Sequence, residues 1–255
     1  MMLEIMIEAA RKAGKFIMDN LGKVKQVEIK KNINDLVTEI DMGSERIIRE
    51  TLEKTGAKVL GEESWKEGRW DEAFIVDPLD GTLNFVHGLP FFSISIAFFE
   101  KGKVTHGVVF SPATDEMFYA EVGKGAFLNG EKIKVSDKKD LSETLFVTGW
   151  PYDTHLTEKT FKTIEIMMKK VQEVRILGSA ALELCYIACG KMDGYWEFGL
   201  EVWDVAAGSL IAKEAGAIVA GITKEDFLLG KEILACTPGV FEETLRTLRQ
   251  VVGEY

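Results

Sequence analysis

The chain has 255 residues, enough for one large domain or two compact ones with a sizeable core. Hydrophobic residues make up 46% and charged residues 28%, the mix of a soluble globular protein rather than a disordered or fibrous one. The formal net charge of −10 excludes a global basic footprint for nucleic acid, and no apolar run approaches the ~20 residues of a membrane helix. That charge would also repel an anionic substrate unless a bound divalent cation inverted the local field.

Residues 1–22 are apolar at helical spacing but interrupted by Glu4 and Glu8, so an amphipathic helix is expected there rather than a signal peptide. A strand is expected at 24–30, then a polar loop at 30–35. A second helix opens at Thr38-Glu39-Ile40-Asp41, runs to about residue 54 and stops before Gly56. Short buried strands are expected at 57–60 and 73–76, each leading into acidic residues. Further strands at 92–100, 104–110 and 116–120 are separated by Gly, Pro or Asp turns. After Ser136 the character changes to a strand at 145–148, a helix at 157–171, a strand at 174–177 and a helix at 179–189. A strand at 194–198 and a helix at 204–214 follow. Such alternation indicates an α/β unit. The fold class is therefore α+β, with one half over 1–140 and an α/β half over 141–255. Three cysteines, Cys185, Cys189 and Cys236, give no disulfide framework and point to a reducing cytoplasm. Cys185 and Cys189, one helical turn apart in an apolar stretch, are expected in the core.

Five segments carry candidate chemistry. In Ala73-Phe-Ile-Val-Asp77-Pro78-Leu79-Asp80-Gly81-Thr82, a strand is expected to stop at Asp77, because Pro78 cannot continue a ladder. Two carboxylates then stand three apart beside a tight turn with backbone N–H groups and a hydroxyl. Carboxylate oxygens suit magnesium, and such a turn can cradle a phosphate. Glu62 in Gly61-Glu62-Glu63-Ser64 follows a second short strand and is a further candidate ligand. Asp204 in Val202-Trp203-Asp204 stands where a helix N-cap belongs, and a carboxylate can cap with one oxygen and bind metal with the other. Thr38 and Asp41 have near capping-box spacing, which a helix start alone explains. In Arg175-Ile176-Leu177-Gly178-Ser179-Ala180, small residues at a helix start let an anion or sugar approach, and Ser179 is a natural N-cap.

These segments, in their order along nearly the whole chain, resemble the inositol monophosphatase family. The matching stretches are DLVTEID, GEES, DPLDGTLNFVHGLPFFSISIA, GVVFSP, GKGAFLNG, RILGSAALELCYIACGKMDGYWEFG and VWDVAAGSLIAKEAG. The resemblance implies a layered α/β/α/β/α sandwich, usually a homodimer, with two or three Mg2+ per active site and lithium sensitivity. It implies that Glu62, Asp77, Asp80 and Asp204 bind metal by side chain and Leu79 by its carbonyl. It implies further that Gly81 and Thr82 contact phosphate, that Gly178, Ser179, Ala180 and Glu197 line the polyol side, and that Asp41 and Thr82 stand beside the attacking water. Lys30 or Lys31 would lie on the family's mobile loop.

Phosphate monoester hydrolysis is among the slowest uncatalysed reactions, and clustered carboxylates would repel one another without cations. The expected activity is thus magnesium-dependent hydrolysis of a phosphate monoester by metal-activated water, with Glu62, Thr82 and Asp41 as the catalytic set. The expected partner is a small phosphorylated polyol or sugar, not a membrane or nucleic acid. None of His87, His106 and His155 is needed as a base. Inositol monophosphate is favoured because Glu197 suits hydroxyl groups. Fructose 1,6-bisphosphate is the alternative, because Arg175 could fork a second phosphate, although it could instead pair with Glu173 or Glu201. A regulatory protein docking on a macromolecular partner is the reading from a different class.

Overall fold

The computed structural model describes residues 1–24, 27–30, 36–64, 71–223 and 231–253. Helices α1 (Met2–Asn20) and α2 (Glu39–Leu52) flank a two-stranded pair, β1 (Val27–Ile29) with β2 (Leu36–Thr38). A seven-stranded sheet follows in sequence order: β3 (Lys58–Gly61), β4 (Glu72–Asp80), β5 (Ser93–Glu100), β6 (Lys103–Ser111), β7 (Glu116–Glu121), β8 (Gly125–Leu128) and β9 (Glu131–Ile133). Only its first pair, β3 with β4, is parallel. Short helix α3 (Thr82–Val86) leaves β4.

The second sheet uses β10 (Leu145–Thr148), β11 (Glu173–Arg175), β12 (Gly194–Phe198), β13 (Ile218–Ala220) and β14 (Glu232–Cys236), in the order β11-β10-β12-β14-β13. Its helices are α4 (Thr157–Met168), α5 (Ala180–Ala188), α6 (Val202–Glu214) and α7 (Phe241–Val252).

Strand periodicity explains how the layers stack. Phe74 and Val76 of β4 face α1 and α2, packing with Met6, Ala13, Ile17 and Ile48. Ile75, between them, faces the other way onto Ala181, Cys185, Ala206 and Ile211 of α5 and α6. The far side of α5 and α6 packs Leu184, Val205 and Ala212 against Val147, Tyr195 and Ile233 of the second sheet. That sheet's outer face carries Phe146, Trp196 and Leu234 against Met167 of α4 and Leu248 of α7. The result is the expected α/β/α/β/α sandwich. Helix α6 is covered on both sides, so its apolar residues are not confined to one stripe. Gly208 permits this closeness, since a Cβ there would stand 2.8 Å from the Leu184 Cβ.

Cys185 is buried in the middle layer and Cys189 packs against it, as expected for core thiols. Sequence reading missed α3, α7, β2, β8, β9, β13 and β14. It also ran α4 on to 171 and β11 on to 177, where the structure ends them at Met168 and Arg175.

Candidate active site

The site begins with an irregularity in β4. Asp77 registers with Ser95, and the next registered pair is Asp80 with Ser93, so three steps on β4 match two on β5. This is a β-bulge, and Pro78 sits inside it, where its missing N–H removes no ladder bond. The strand therefore does not stop at Asp77 but carries on to Asp80. In a regular strand, residues three apart point to opposite faces; the extra residue brings Asp77 and Asp80 to one cavity. Ser44 donates to the Pro78 carbonyl at 2.7 Å, and the Leu79 N–H donates to Asp77 Oδ1 at 3.0 Å.

Two helix starts add acids by the same device. Thr38 caps α2, and its N–H donates to Asp41 Oδ2 at 2.8 Å. The other Asp41 oxygen accepts the Thr82 hydroxyl at 2.7 Å, which joins the expected water-side pair. At α6 the cap is Glu201, not Asp204 as the sequence reading had it. Asp204 is the third helical residue and reaches back, its Oδ2 accepting the Glu201 N–H at 2.7 Å. Aspartate thus takes the place that a capping box usually gives to Glu or Gln.

Ser179 stands at the N-cap of α5, but its hydroxyl does not cap the helix. It donates instead to Asp80 Oδ2 at 2.5 Å, and the Ala181 N–H donates to the same oxygen at 2.9 Å. Ser93 adds a third bond at 3.2 Å. In Asp77, Asp80 and Asp204 alike, one named oxygen takes the structural hydrogen bonds.

These groups border one cavity of about 1060 Å3. Its walls include Glu62, Asp77, Leu79, Asp80 and Asp204, and also Gly81, Thr82, Gly178, Ser179, Ala180 and Glu197. Two expected residues are not in its wall. Asp41 lies behind Thr82. Arg175 is half-exposed and pairs with Glu173 at 2.9 Å, so the second-phosphate role expected of it has no support. Lys30 reaches Glu62 at 2.7 Å and Glu63 at 2.6 Å, while Lys31 lies outside the described residues.

Burial is the main reason these acids resist ionisation. It pushes Asp80 up to about 6, with the Glu62 charge adding to the rise and the bonds from Ser179, Ala181 and Ser93 opposing it. Burial holds Asp77 and Asp204 well above the usual carboxylate range; the Glu62 and Asp80 charges raise both further, Asp204 adds to Asp77 and Glu197 to Asp204, and the Leu79 and Glu201 N–H groups oppose the rise. Asp41 is raised by burial against its hydrogen bonds from Thr38 and Thr82. Among the described residues, no three acids converge as a ready-made metal cage. They share a cavity and a field instead. The donor set is all oxygen, several acids are buried, and each raises its neighbours' proton affinity; such a set fits a hard divalent cation.

The other end of the cavity is less acidic in character. Tyr195 donates its hydroxyl to Glu197 Oε2 at 2.6 Å, and burial lifts Glu197 to about 7. Gly149 makes room, because a Cβ there would stand 1.9 Å from that oxygen. Lys159 and Lys231 border the same end, each beside an acid: Glu232 at 3.6 Å and Glu201 at 2.7 Å. Sequence reasoning assigned no role to Asn84, Gly149 and Glu183 of the wall or to Tyr195 buried behind Glu197, since each takes its role from tertiary contacts.

A model of the inositol monophosphatase family matches residues 1–253. The fructose-1,6-bisphosphatase/inositol-1-monophosphatase of Thermotoga maritima is 41% identical over 255 residues, covering 99% of this chain and 97% of that one. A protein named Nus factor SuhB from Pasteurella multocida is 39% identical over 260 residues, covering 99% and 97%. The crystal structure of extragenic suppressor protein suhB from Bartonella henselae superposes with a TM-score of 0.91 at 36% identity, covering 98% of each chain.

Proposed function

Because the chain belongs to the inositol monophosphatase family, we propose that it hydrolyses a phosphate monoester, inositol monophosphate foremost, with magnesium at the acidic end of the cavity. The observation that carries this is the Thr82–Asp41 hydrogen bond beside a wall made of Glu62, Asp77, Asp80 and Asp204. Residues 1–140 supply most of the acids, and residues 141–255 close the site with Asp204, the α5 start and Glu197.

Two or three magnesium ions, held by the four carboxylates and the Leu79 carbonyl, would supply positive charge for the phosphoryl oxygens and acidify a bound water. The protein does the rest by position. Thr82 donates to Asp41, so its oxygen lone pairs are turned to accept from a water. Asp41, buried and with raised proton affinity, takes the proton passed through Thr82. The Gly81 and Thr82 N–H groups bind the phosphate. Gly81 has φ +93°, and a Cβ there would stand 3.0 Å from the Gly178 carbonyl, so the turn needs glycine. Glu197, fixed by Tyr195, accepts hydroxyl groups of the polyol.

Arg175 outside the cavity weakens the case for a second phosphate, and the acids beside Lys159 and Lys231 compensate those two cations. We therefore place the monophosphate ahead of fructose 1,6-bisphosphate, with dual activity as the alternative that the Thermotoga relative's name keeps open. No described helix is long and apolar enough to cross a membrane, and we propose a cytoplasmic homodimer. Relatives named Nus factor SuhB favour a second reading, docking on a macromolecular partner. A phosphate monoester panel with and without magnesium separates the two. Turnover of inositol monophosphate, lost on chelation and restored by magnesium, is expected; no turnover of any member would leave only the docking reading.

A further inference from the structure

Glu183 is the fourth helical residue of α5 and is fully buried at the edge of the cavity. Its Oε1 accepts two consecutive backbone N–H groups, Leu177 and Gly178, each at 3.0 Å. Its Oε2 is the one buried side-chain oxygen or nitrogen without a hydrogen-bond partner among the described residues. The same two residues are held through their carbonyls by Asn84, whose Nδ2 donates to the Leu177 carbonyl at 2.7 Å and lies 3.4 Å from the Gly178 carbonyl. This stretch leads straight into Ser179, which holds Asp80, and its Gly178 carbonyl stands against Gly81. Fixing it fixes one wall of both the phosphate turn and the polyol end.

The charges facing Glu183 come from β12 and β4. They are Glu197, with Tyr195 beside it, and Asp80, acids in every case. An ionised carboxylate with a bare oxygen, out of reach of water and beside like charges, is strongly disfavoured. Burial and the Glu197 charge hold Glu183 well above the usual carboxylate range, against the pull of the two N–H groups.

We infer that Glu183 is a positioning residue that works in its neutral form: Oε1 clamps the Leu177–Gly178 backbone while a proton on Oε2 keeps the polyol end of the cavity from gaining another negative charge. Its importance for turnover rests on the proposed phosphatase activity; its protonation does not.

The test uses Glu183→Gln and Glu183→Ala in the full chain. Glutamine copies the neutral carboxyl, with an oxygen for the two N–H groups and an NH2 where the proton stood. Glu183→Gln is expected to keep kcat/KM within about fivefold of wild type, and Glu183→Ala to lose about 10- to 100-fold by freeing the backbone. The second readout is melting temperature against pH in chelator, which needs no turnover. The unfolded chain releases the Glu183 proton near the ordinary value of about 4.3, whereas the folded chain retains it. The folded state then binds more protons, so wild-type stability falls as pH rises above that value. Glutamine has no proton to release. Wild type and Glu183→Gln should therefore differ least near pH 4, and the variant should gain on wild type as pH rises above that. A gap that does not change with pH, or a Glu183→Gln enzyme as slow as Glu183→Ala, would overturn the inference. So would a Glu183→Ala enzyme with unchanged kcat/KM. If Glu183→Ala does not fold, Glu183→Gln alone decides through its rate and its pH trend. If no phosphate monoester is turned over, the proposed function fails, and the melting series still decides the protonation.

Discussion

Asp80 Oδ2 accepts the Ser179 hydroxyl at 2.5 Å, and through this bond a carboxylate on β4 secures the start of α5 from the other half of the chain. The Ala181 N–H, which an N-cap side chain normally satisfies, goes to the same oxygen at 2.9 Å. Asp80 therefore has a structural task for one oxygen and a functional task for its charge, and the two can be separated.

In Asp80→Asn, an amide oxygen can still accept from Ser179 and Ala181, while the buried charge beside Glu62 and Asp77 is gone. The chelated variant is expected to be at least as stable as wild type, by up to the order of 1–3 kcal/mol. Magnesium binding should weaken and turnover fall roughly 100-fold or more. Asp77→Asn and Asp204→Asn should follow the same pattern. Melting curves in chelator beside magnesium titration calorimetry check it. A chelated variant melting far below wild type would show that the ionised group itself holds the fold.

Thr82 and Glu62 should separate by role. Thr82→Ala removes the hydroxyl that donates to Asp41 but keeps the backbone N–H, so kcat should fall by about 10²-fold or more with magnesium affinity largely kept. Thr82→Ser should recover much of the rate. Glu62→Gln should weaken both magnesium binding and rate, and it also loses an ion pair with Lys30. Calorimetry run beside steady-state kinetics distinguishes them. Equal losses of metal affinity in Thr82→Ala and Glu62→Gln would end this division of labour.

Much of this was legible in the sequence because metal and phosphate chemistry leaves local marks. Asp77 and Asp80 stand beside Gly81-Thr82, and Asp204 opens a helix. The bulge was not legible: Pro78 properly signals a break in a ladder, and only the pairing with β5 shows that the break is one extra residue wide. Asp204 was misassigned as the cap of α6, and Ser179, which does stand at the N-cap of α5, spends its hydroxyl on Asp80 instead of the helix, for a related reason. Composition offers a capping residue, but tertiary contacts decide which groups it serves. Strand β13 escaped because it is a three-residue edge strand, and β14 because it is buried along its whole length and shows no alternation. Gly149 and Glu183 are pocket residues only through contacts between distant elements, and Tyr195 acts from behind the wall through Glu197.

Arg175 is expected to be dispensable. Its guanidinium pairs with exposed Glu173 and borders no part of the cavity. Exposed pairs contribute about 0–1 kcal/mol, so Arg175→Ala should leave stability nearly unchanged. Its kcat/KM should stay within about twofold for both inositol monophosphate and fructose 1,6-bisphosphate. A selective loss on the bisphosphate would show that this side chain swings toward the substrate and would revive the second-phosphate role.

Tyr195 should govern substrate binding without touching the metal end. Its hydroxyl donates to Glu197 Oε2 at 2.6 Å inside the protein, and Gly149 leaves just enough space for that carboxylate. Tyr195→Phe removes the donor and leaves Glu197 as a buried acid with one fewer hydrogen bond, a loss of about 1–3 kcal/mol. Without that bond, which favours the charged form, Glu197 should bind its proton more tightly than the wild-type value of about 7. A protonated Glu197 is a poorer acceptor for polyol hydroxyls. KM for inositol monophosphate should therefore rise about 5- to 100-fold in Tyr195→Phe at neutral pH, while kcat and magnesium affinity change little. Raising the pH should recover part of the loss, because the carboxylate then forms again. Glu197→Gln should raise KM similarly but show no such recovery, having no proton to lose. Steady-state kinetics for both variants from pH 6.5 to 9 makes the comparison. A Tyr195→Phe defect that sits in kcat, or that ignores pH as the Glu197→Gln defect does, would mean that Tyr195 serves packing rather than the charge state of Glu197.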